Sequence, residues 1–282
     1  MKDKNLYLVG GVVRDELLGA ESFDIDYCYE GDAIKFARSS GFNILKENPA
    51  FGTVRIEKDG KEIDIASTRV ETYPEKGHLP EVSKIGCSLK EDVLRRDFTI
   101  NALYKRTTDG EIIDYTGGLD DIKSKKIRVL HDESFIDDPT RIIRALKFSV
   151  RFGFELDAHT HELQEKYLEN INYDMSYHRV KKEIVETFNL NKQEAYERFI
   201  NEGIYKLLGE NQKPCKLLNI EKFPFTPPWL KYMAFFNLEN LELTRAENRI
   251  LEWAERLKTE KTNNNTPQES IIIDRIRREC GC

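Results

Sequence analysis

A short apolar run, Leu6–Val9, breaks at two adjacent glycines, Gly10 and Gly11. A helix-forming stretch, Val12–Leu18, follows, and then a second β-like run from Asp24 to Tyr29. Strand, glycine turn, helix and strand in that order commit the start of the chain to a mixed α/β arrangement. Alternation along the second strand sends Asp24 and Asp26 to one face and Ile25 to the core. Two carboxylates that close share hard divalent cations, and the glycines leave backbone amides open to phosphate oxygens. Arg14, on the intervening helix, is placed to meet the same phosphates, with Asp15 as a supporting acid. The set suits a nucleoside triphosphate with Mg²⁺ and points to nucleotidyl transfer.

A third acid recurs in Ile63-Asp64-Ile65. The two isoleucines claim one face of that run, so Asp64 takes the other, beside the first pair if the strands are neighbours. Two Mg²⁺ ions about 3.5–4 Å apart, bridged by such acids, activate a 3′-hydroxyl and stabilise the departing pyrophosphate. The carboxylates act here as ligands, not as proton carriers.

The rest of residues 1–130 continues in the same style. Strands are expected at Thr53–Glu57, Glu62–Ser67 and Ile100–Lys105, a helix at Asp32–Ser40, and turns at Asp59-Gly60 and Asp109-Gly110. From about Asp132 the pattern turns to helix after helix: Asp138–Phe152, Ala158–Asn170, Ser176–Phe188, Gln193–Asn201 and Thr244–Lys258. A linker-like stretch, Thr259–Gln268, precedes a last helix. The fold class is therefore α+β, a small mixed sheet with helices followed by an all-helical remainder.

Net charge is −6, so any nucleic-acid contact must use a local basic face rather than a basic total. No apolar run is long enough to span a bilayer, and the N-terminus lacks a signal-peptide core. A cytoplasmic protein is expected, with no membrane contact and no obligatory protein partner evident. The five cysteines are scattered without a paired metal spacing, and reduced thiols are expected.

Three stretches carry a family resemblance. GGVVRDELLG with DID, RRDFTINAL at Arg95–Leu103, and DDPTRIIRALKFSVRFGF at Asp137–Phe154 occur in the order and spacing of the class II tRNA nucleotidyltransferases. These CCA-adding enzymes share their architecture with bacterial poly(A) polymerases. The resemblance covers about residues 6–190 and implies a nucleotidyltransferase head (1–130), a helical neck with a nucleotide-base template (131–190), and a helical, RNA-binding body and short tail (191–282). It also implies two Mg²⁺ ions, CTP and ATP as substrates, and a tRNA 3′ end as primer.

By motif, Asp24 and Asp26 resemble the metal-holding catalytic pair, with Asp64 as a third catalytic acid. Gly10, Gly11 and Arg14 lie at the triphosphate. Asp97 resembles the acceptor of the ribose 2′-OH, with Arg96 beside it and Asn101 as a second candidate for the same sugar; an acceptor there selects NTP over dNTP. In Asp137-Asp138-Pro139-Thr140-Arg141, an acid and an arginine resemble the family's protein template. Carboxylate accepts from the exocyclic amines of cytosine and adenine, and guanidinium donates to ring acceptors. Asp138, Arg141 and Arg144 fall at i, i+3 and i+6, one helix stripe. Asp-Pro is also a good helix start, with Asp138 as cap and Asp137 as the substitute reader.

Lys147, Arg151, Arg179, Lys181 and Lys182 are the candidate RNA-phosphate contacts, whereas Val180, Ile184 and Phe188 read as core. Residues 72–86 lack periodicity and resemble the family's flexible loop, which argues against a purely CC-adding member. The reading is a template-independent enzyme adding CMP and AMP to tRNA. The alternatives are an A-adding enzyme completing CC-ended tRNA, a poly(A) polymerase, or a catalytically silent RNA-binding module.

Overall fold

The computed structural model describes residues 1–22, 25–215, 220–225, 227–259, 262–263 and 265–280, in two compact units. The first comprises Met1–Asp137 with Glu155–Thr160. Its elements are β1 (Leu6–Val9), α1 (Gly11–Leu18), β2 (Asp26–Tyr29), α2 (Ala33–Ser39), β3 (Asn43–Asn48), β4 (Thr53–Lys58) and β5 (Lys61–Ser67). There follow β6 (Arg69–Thr72), β7 (Glu81–Ile85), α3 (Leu89–Asp92), β8 (Leu103–Arg106), β9 (Ile112–Asp114), α4 (Gly118–Ser124), β10 (Lys126–Ile127) and α5 (Ser134–Asp137).

Seven strands form one sheet in the order β3-β4-β5-β2-β1-β8-β9, antiparallel except where β2 runs parallel to β5. The hairpin β4–β5 turns through Asp59 (φ 54°) and Gly60 (φ 73°). Both torsions are positive, as the tightest hairpin turn demands, so two residues fix the register of the whole hairpin. That register sets Arg55 opposite Asp64, and the parallel pair sets Asp26 beside Asp64. One sheet face buries Leu6, Val54, Ile56 and Ile65 with Ala33, Ile34 and Ala37 of α2. The helix starts at Asp32, whose side chain accepts the Ile34 and Lys35 amides. The other face buries Tyr7, Val9, Cys28 and Tyr104 with Leu89 and Val93.

Two local expectations fail. Ile25 is 51% exposed, because β2 begins one residue later and the core position of that strand is Cys28. Asp24 lies outside the described residues. The stretch without periodicity is largely a second sheet: β6 pairs antiparallel with β7 around residues 73–80. Strand β7 is mostly exposed, so no apolar alternation announces it. At the tip of that hairpin Lys76 pairs with Asp137 at 2.5 Å, and Gly77 donates to the Asp137 carbonyl.

The second unit, Asp138–Phe154 with His161–Cys282, is helical. It holds α6 (Thr140–Phe152) and, beyond the short β11 (Glu155–Leu156) of the first unit, most of α7 (Ala158–Glu169). Then come α8 (Tyr177–Phe188), α9 (Gln193–Asn201), α10 (Pro228–Met233), α11 (Arg245–Arg256) and α12 (Gln268–Cys280). Val180, Ile184 and Phe188 are fully buried, as their spacing predicts, and Phe188 meets Phe199 edge-on at 5.2 Å between centroids. Cys28 and Cys87 are buried free thiols, and burial pushes Cys28 up to about 12. Cys215 departs from the expected reduced state: it is disulfide-bonded, and nothing in the spacing of the cysteines marks it.

A buried charge centre the sequence reading did not single out sits behind the first unit's loop 93–101. The Asp92 carboxylate is fully buried and accepts from Arg95 Nε (2.9 Å), Arg96 Nη2 (2.9 Å), the Tyr104 hydroxyl (2.8 Å) and the Arg69 amide (2.9 Å). Burial alone would raise its pKa, but Arg96 and Arg95, with the Arg69 amide and Tyr104, outweigh that and hold it well below the usual range. Its spacing three and four residues before two arginines was the available signal.

Asp92→Asn leaves two guanidinium groups without their buried partner and should cost about 3–5 kcal/mol. A depressed folded-state pKa stabilises fully above about pH 4 and fades as pH falls toward the folded value. Denaturant titrations should therefore show the gap between wild type and Asp92→Asn narrowing below pH 4. A gap independent of pH would contradict the ion-pair account.

Candidate functional site

The sheet register brings one end of β1, the start of β2, the middle of β5 and the start of β8 together. Gly10 leaves β1 at φ 71°, ψ −126°, a conformation open to glycine alone. Its amide donates to the Leu103 carbonyl (3.3 Å), extending the β1–β8 ladder. The expectation of an open Gly10 amide is thus corrected. Gly11 opens α1, whose first N–H groups have no acceptor within the helix and carry the positive end of its dipole. These are the donors available to an anion.

Arg14 lies on α1 and is 3% exposed. Its Nε and Nη2 bind Asp15 Oδ1 at 2.8 and 2.6 Å, and its Nη1 donates to Asn101 Oδ1. Asn101 in turn gives its Nδ2 to both oxygens of Asp97 (3.1 and 3.2 Å), and the Phe98 amide donates to Asp97 Oδ1 at 2.8 Å. The first and second segments read from the sequence as separate motifs are therefore one hydrogen-bonded line, Asp15–Arg14–Asn101–Asp97. Arg14 is drawn into the fold by it, since a buried guanidinium requires partners. Arg96, expected beside the nucleotide, lies next to Gly10 and is engaged with Asp92 and with Tyr104, whose ring its guanidinium covers at 4.9 Å.

Asp26 and Asp64 face each other across the parallel β2–β5 pair, where strands lie about 4.8 Å apart. Both are exposed. Hard oxygen donors side by side fit Mg²⁺. Asp64 is also gripped by Arg55, a partner the sequence reading missed: Nε and Nη2 bind its two oxygens at 2.8 and 2.7 Å. The Asp-Gly turn and alternation in both strands would have located it.

In the second unit Asp138 precedes α6. Its Oδ1 accepts the Thr140 amide (3.1 Å) and hydroxyl (2.6 Å), so the capping role foreseen for it is present. Its Oδ2 pairs with Arg179 and lies 3.9 Å from Arg141 Nε. Asp138 and Arg141 are buried. Arg144 reaches Glu183 on α8 at 3.1 Å and lies over Phe148.

The basic candidates divide. Lys147 is buried and bridges Glu183 (2.7 Å) and Glu186 (2.6 Å), joining α6 to α8. Lys181 joins α8 to α11 through Glu247 at 2.8 Å, with Trp229 beneath its ammonium. Both were expected at phosphates, and both make interhelical pairs, which helical spacing alone cannot distinguish from a solvated face. Arg151 covers the Phe152 ring at 4.8 Å, and Lys182 is exposed. Among the described residues no helix is long and apolar enough to cross a membrane.

Comparison with known proteins gives the following. Residues 6–128 match the family described as the poly A polymerase head domain. An A-adding tRNA nucleotidyltransferase of Aquifex aeolicus is 48% identical over 164 residues, covering 56% of this chain and 20% of that protein. The chain thus spans about a fifth of that relative's length. A solved CCA-adding enzyme in an apo form is similar with TM-score 0.78 and 26% identity, over 95% of this chain and 74% of that one. A tRNA nucleotidyltransferase complexed with a primer tRNA and an incoming ATP analog gives TM-score 0.71 and 26% identity, over 97% and 91% of the two chains. The resemblance read from the three motifs is borne out, and so is the α+β fold.

The Lys147 assignment has a direct check. Lys147→Met should lower stability by about 1–3 kcal/mol in denaturant titration, because two carboxylates lose a partner. Unchanged stability would contradict the interhelical role.

Proposed function

We propose, with residues 6–128 identified as a poly A polymerase head domain, that this chain adds nucleotides from CTP and ATP to the 3′ end of tRNA. The observation that carries the reading is the in-register pair Asp26 and Asp64, next to the glycine turn and the N-terminus of α1. Asp26 and Asp64 would hold Mg²⁺ together with Asp24. Bound there, a pair of Mg²⁺ ions supplies a deprotonated 3′-hydroxyl and neutralises charge on the leaving pyrophosphate.

The chain's own groups do the rest. The first amides of α1 receive phosphate oxygens. Asp97, fixed by Asn101, accepts the ribose 2′-OH and so rejects dNTPs. Asp138 and Arg141 present the carboxylate and guanidinium that complement cytosine and adenine edges. Asp138 does so with oxygens it also gives to Thr140 and Arg179, so Arg179 holds the reader as well as neutralising it. Arg144, Arg151 and Lys182 are the remaining candidates for RNA phosphate. Addition of A alone is the second reading, favoured by the name of the 48% identical relative.

Primer extension tests both. The protein is offered tRNAs lacking CCA, ending in C, or ending in CC, with each NTP singly and together. CCA addition extends all three, and A addition only the last. Failure to extend any of them overturns the function. Asp26→Ala should reduce incorporation about a thousandfold or more. Asp97→Ala should lower NTP-over-dNTP preference about 10–100-fold, the worth of a charged hydrogen bond. An unaltered preference would remove Asp97 from the sugar.

A further inference from the structure

We propose that Arg55 is the counter-ion of Asp64 in the nucleotide-free protein, and that a divalent cation must displace it to bind there. This rests on the reading of Asp26 and Asp64 as metal ligands and adds a residue that governs access to one of them.

Three neighbouring strands carry the argument. The registers Arg55↔Asp64 and Asp26↔Asp64 line up Arg55, Asp64 and Asp26 in one row across β4, β5 and β2. Cross-strand partners share a face, so cation, acid and acid stand side by side. The opposite face of the same strands holds Val54, Ile56 and Ile65 in the core. The row is therefore on the side where metal is to bind. The fork is bidentate, with Nε and Nη2 on separate Asp64 oxygens, and Nη1 reaches Glu62 at 3.3 Å. Both Asp64 oxygens thus already have a donor.

A cation on Asp64 would need one of those oxygens and would sit close to a fixed positive charge. Arg55 can yield, because its side chain is 46% exposed and Asp64 52%. An exposed pair is worth little, so Arg55 shifts metal affinity modestly rather than blocking it. The Asp-Gly turn holds the register, so the hairpin does not need this ion pair to form. The consequence is a site whose negative charge is partly offset until metal arrives together with the negative triphosphate.

The test uses the full chain without nucleotide and Mn²⁺ as the probe, with free Mn²⁺ read from its electron paramagnetic resonance amplitude at constant ionic strength. Arg55→Gln should bind Mn²⁺ about two- to fivefold more tightly than wild type. Arg55→Lys, which keeps charge without the fork, should stay near wild type. The gain should vanish when Asp64→Asn is added, as a double-mutant cycle requires. Arg38→Gln removes a charge from an equivalent exposed fork on Glu47 and should change nothing. Equal affinity in wild type and Arg55→Gln, a gain that survives Asp64→Asn, or an equal gain from Arg38→Gln overturns the proposal. Mn²⁺ affinity unmoved by both Asp26→Asn and Asp64→Asn would overturn the metal reading itself, a separate result.

Discussion

A buried guanidinium organises the first unit. Arg14 cannot sit inside a protein without a counter-charge, and the neighbouring Asp15 supplies it from the same helix. With two nitrogens so occupied, the remaining one fixes which way the Asn101 amide turns: oxygen toward Arg14, nitrogen toward Asp97. The carboxylate proposed to read the sugar is thus oriented from the helix whose N-terminus is proposed to take the phosphates. A donor fork and a side-chain amide join two segments almost ninety residues apart.

Charge elsewhere follows the same rule of local compensation. Asp92 gathers two arginines, a tyrosine and a backbone amide behind loop 93–101. In the helical unit Lys147, Arg144, Glu183 and Glu186 pair between α6 and α8. A chain with one residue in three charged therefore places several of its charges inside, where a partner offsets the cost of burial.

Much of the fold was legible because periodicity and turn chemistry agreed. β1, β4, β5 and α9 fall where apolar spacing places them, and Asp59-Gly60 turns as its composition requires. Asp64 beside Asp26 followed from alternation once the strands were neighbours. What escaped notice had no local signature. β7 is an exposed strand, so nothing alternates. Ile25 looks like core but precedes its strand. Lys147 acquires its role from partners brought by the fold, and a linear reading sees only a charge. The Asp138 cap was visible in Asp-Pro, whereas its pair with Arg179, forty-one residues on, was not.

The central claim is that Arg14 acts on the sugar through Asn101 and Asp97. Arg14→Lys keeps the charge beside Asp15 but loses the fork that reaches Asn101. The measurement is the ratio of kcat/KM for ATP to that for dATP on CC-ended tRNA, which does not depend on the fraction of active protein. The account expects that ratio to fall about tenfold, with ATP losing more than dATP. An equal loss for both nucleotides, leaving the ratio where it was, would show that Arg14 serves the triphosphate alone and would contradict the account.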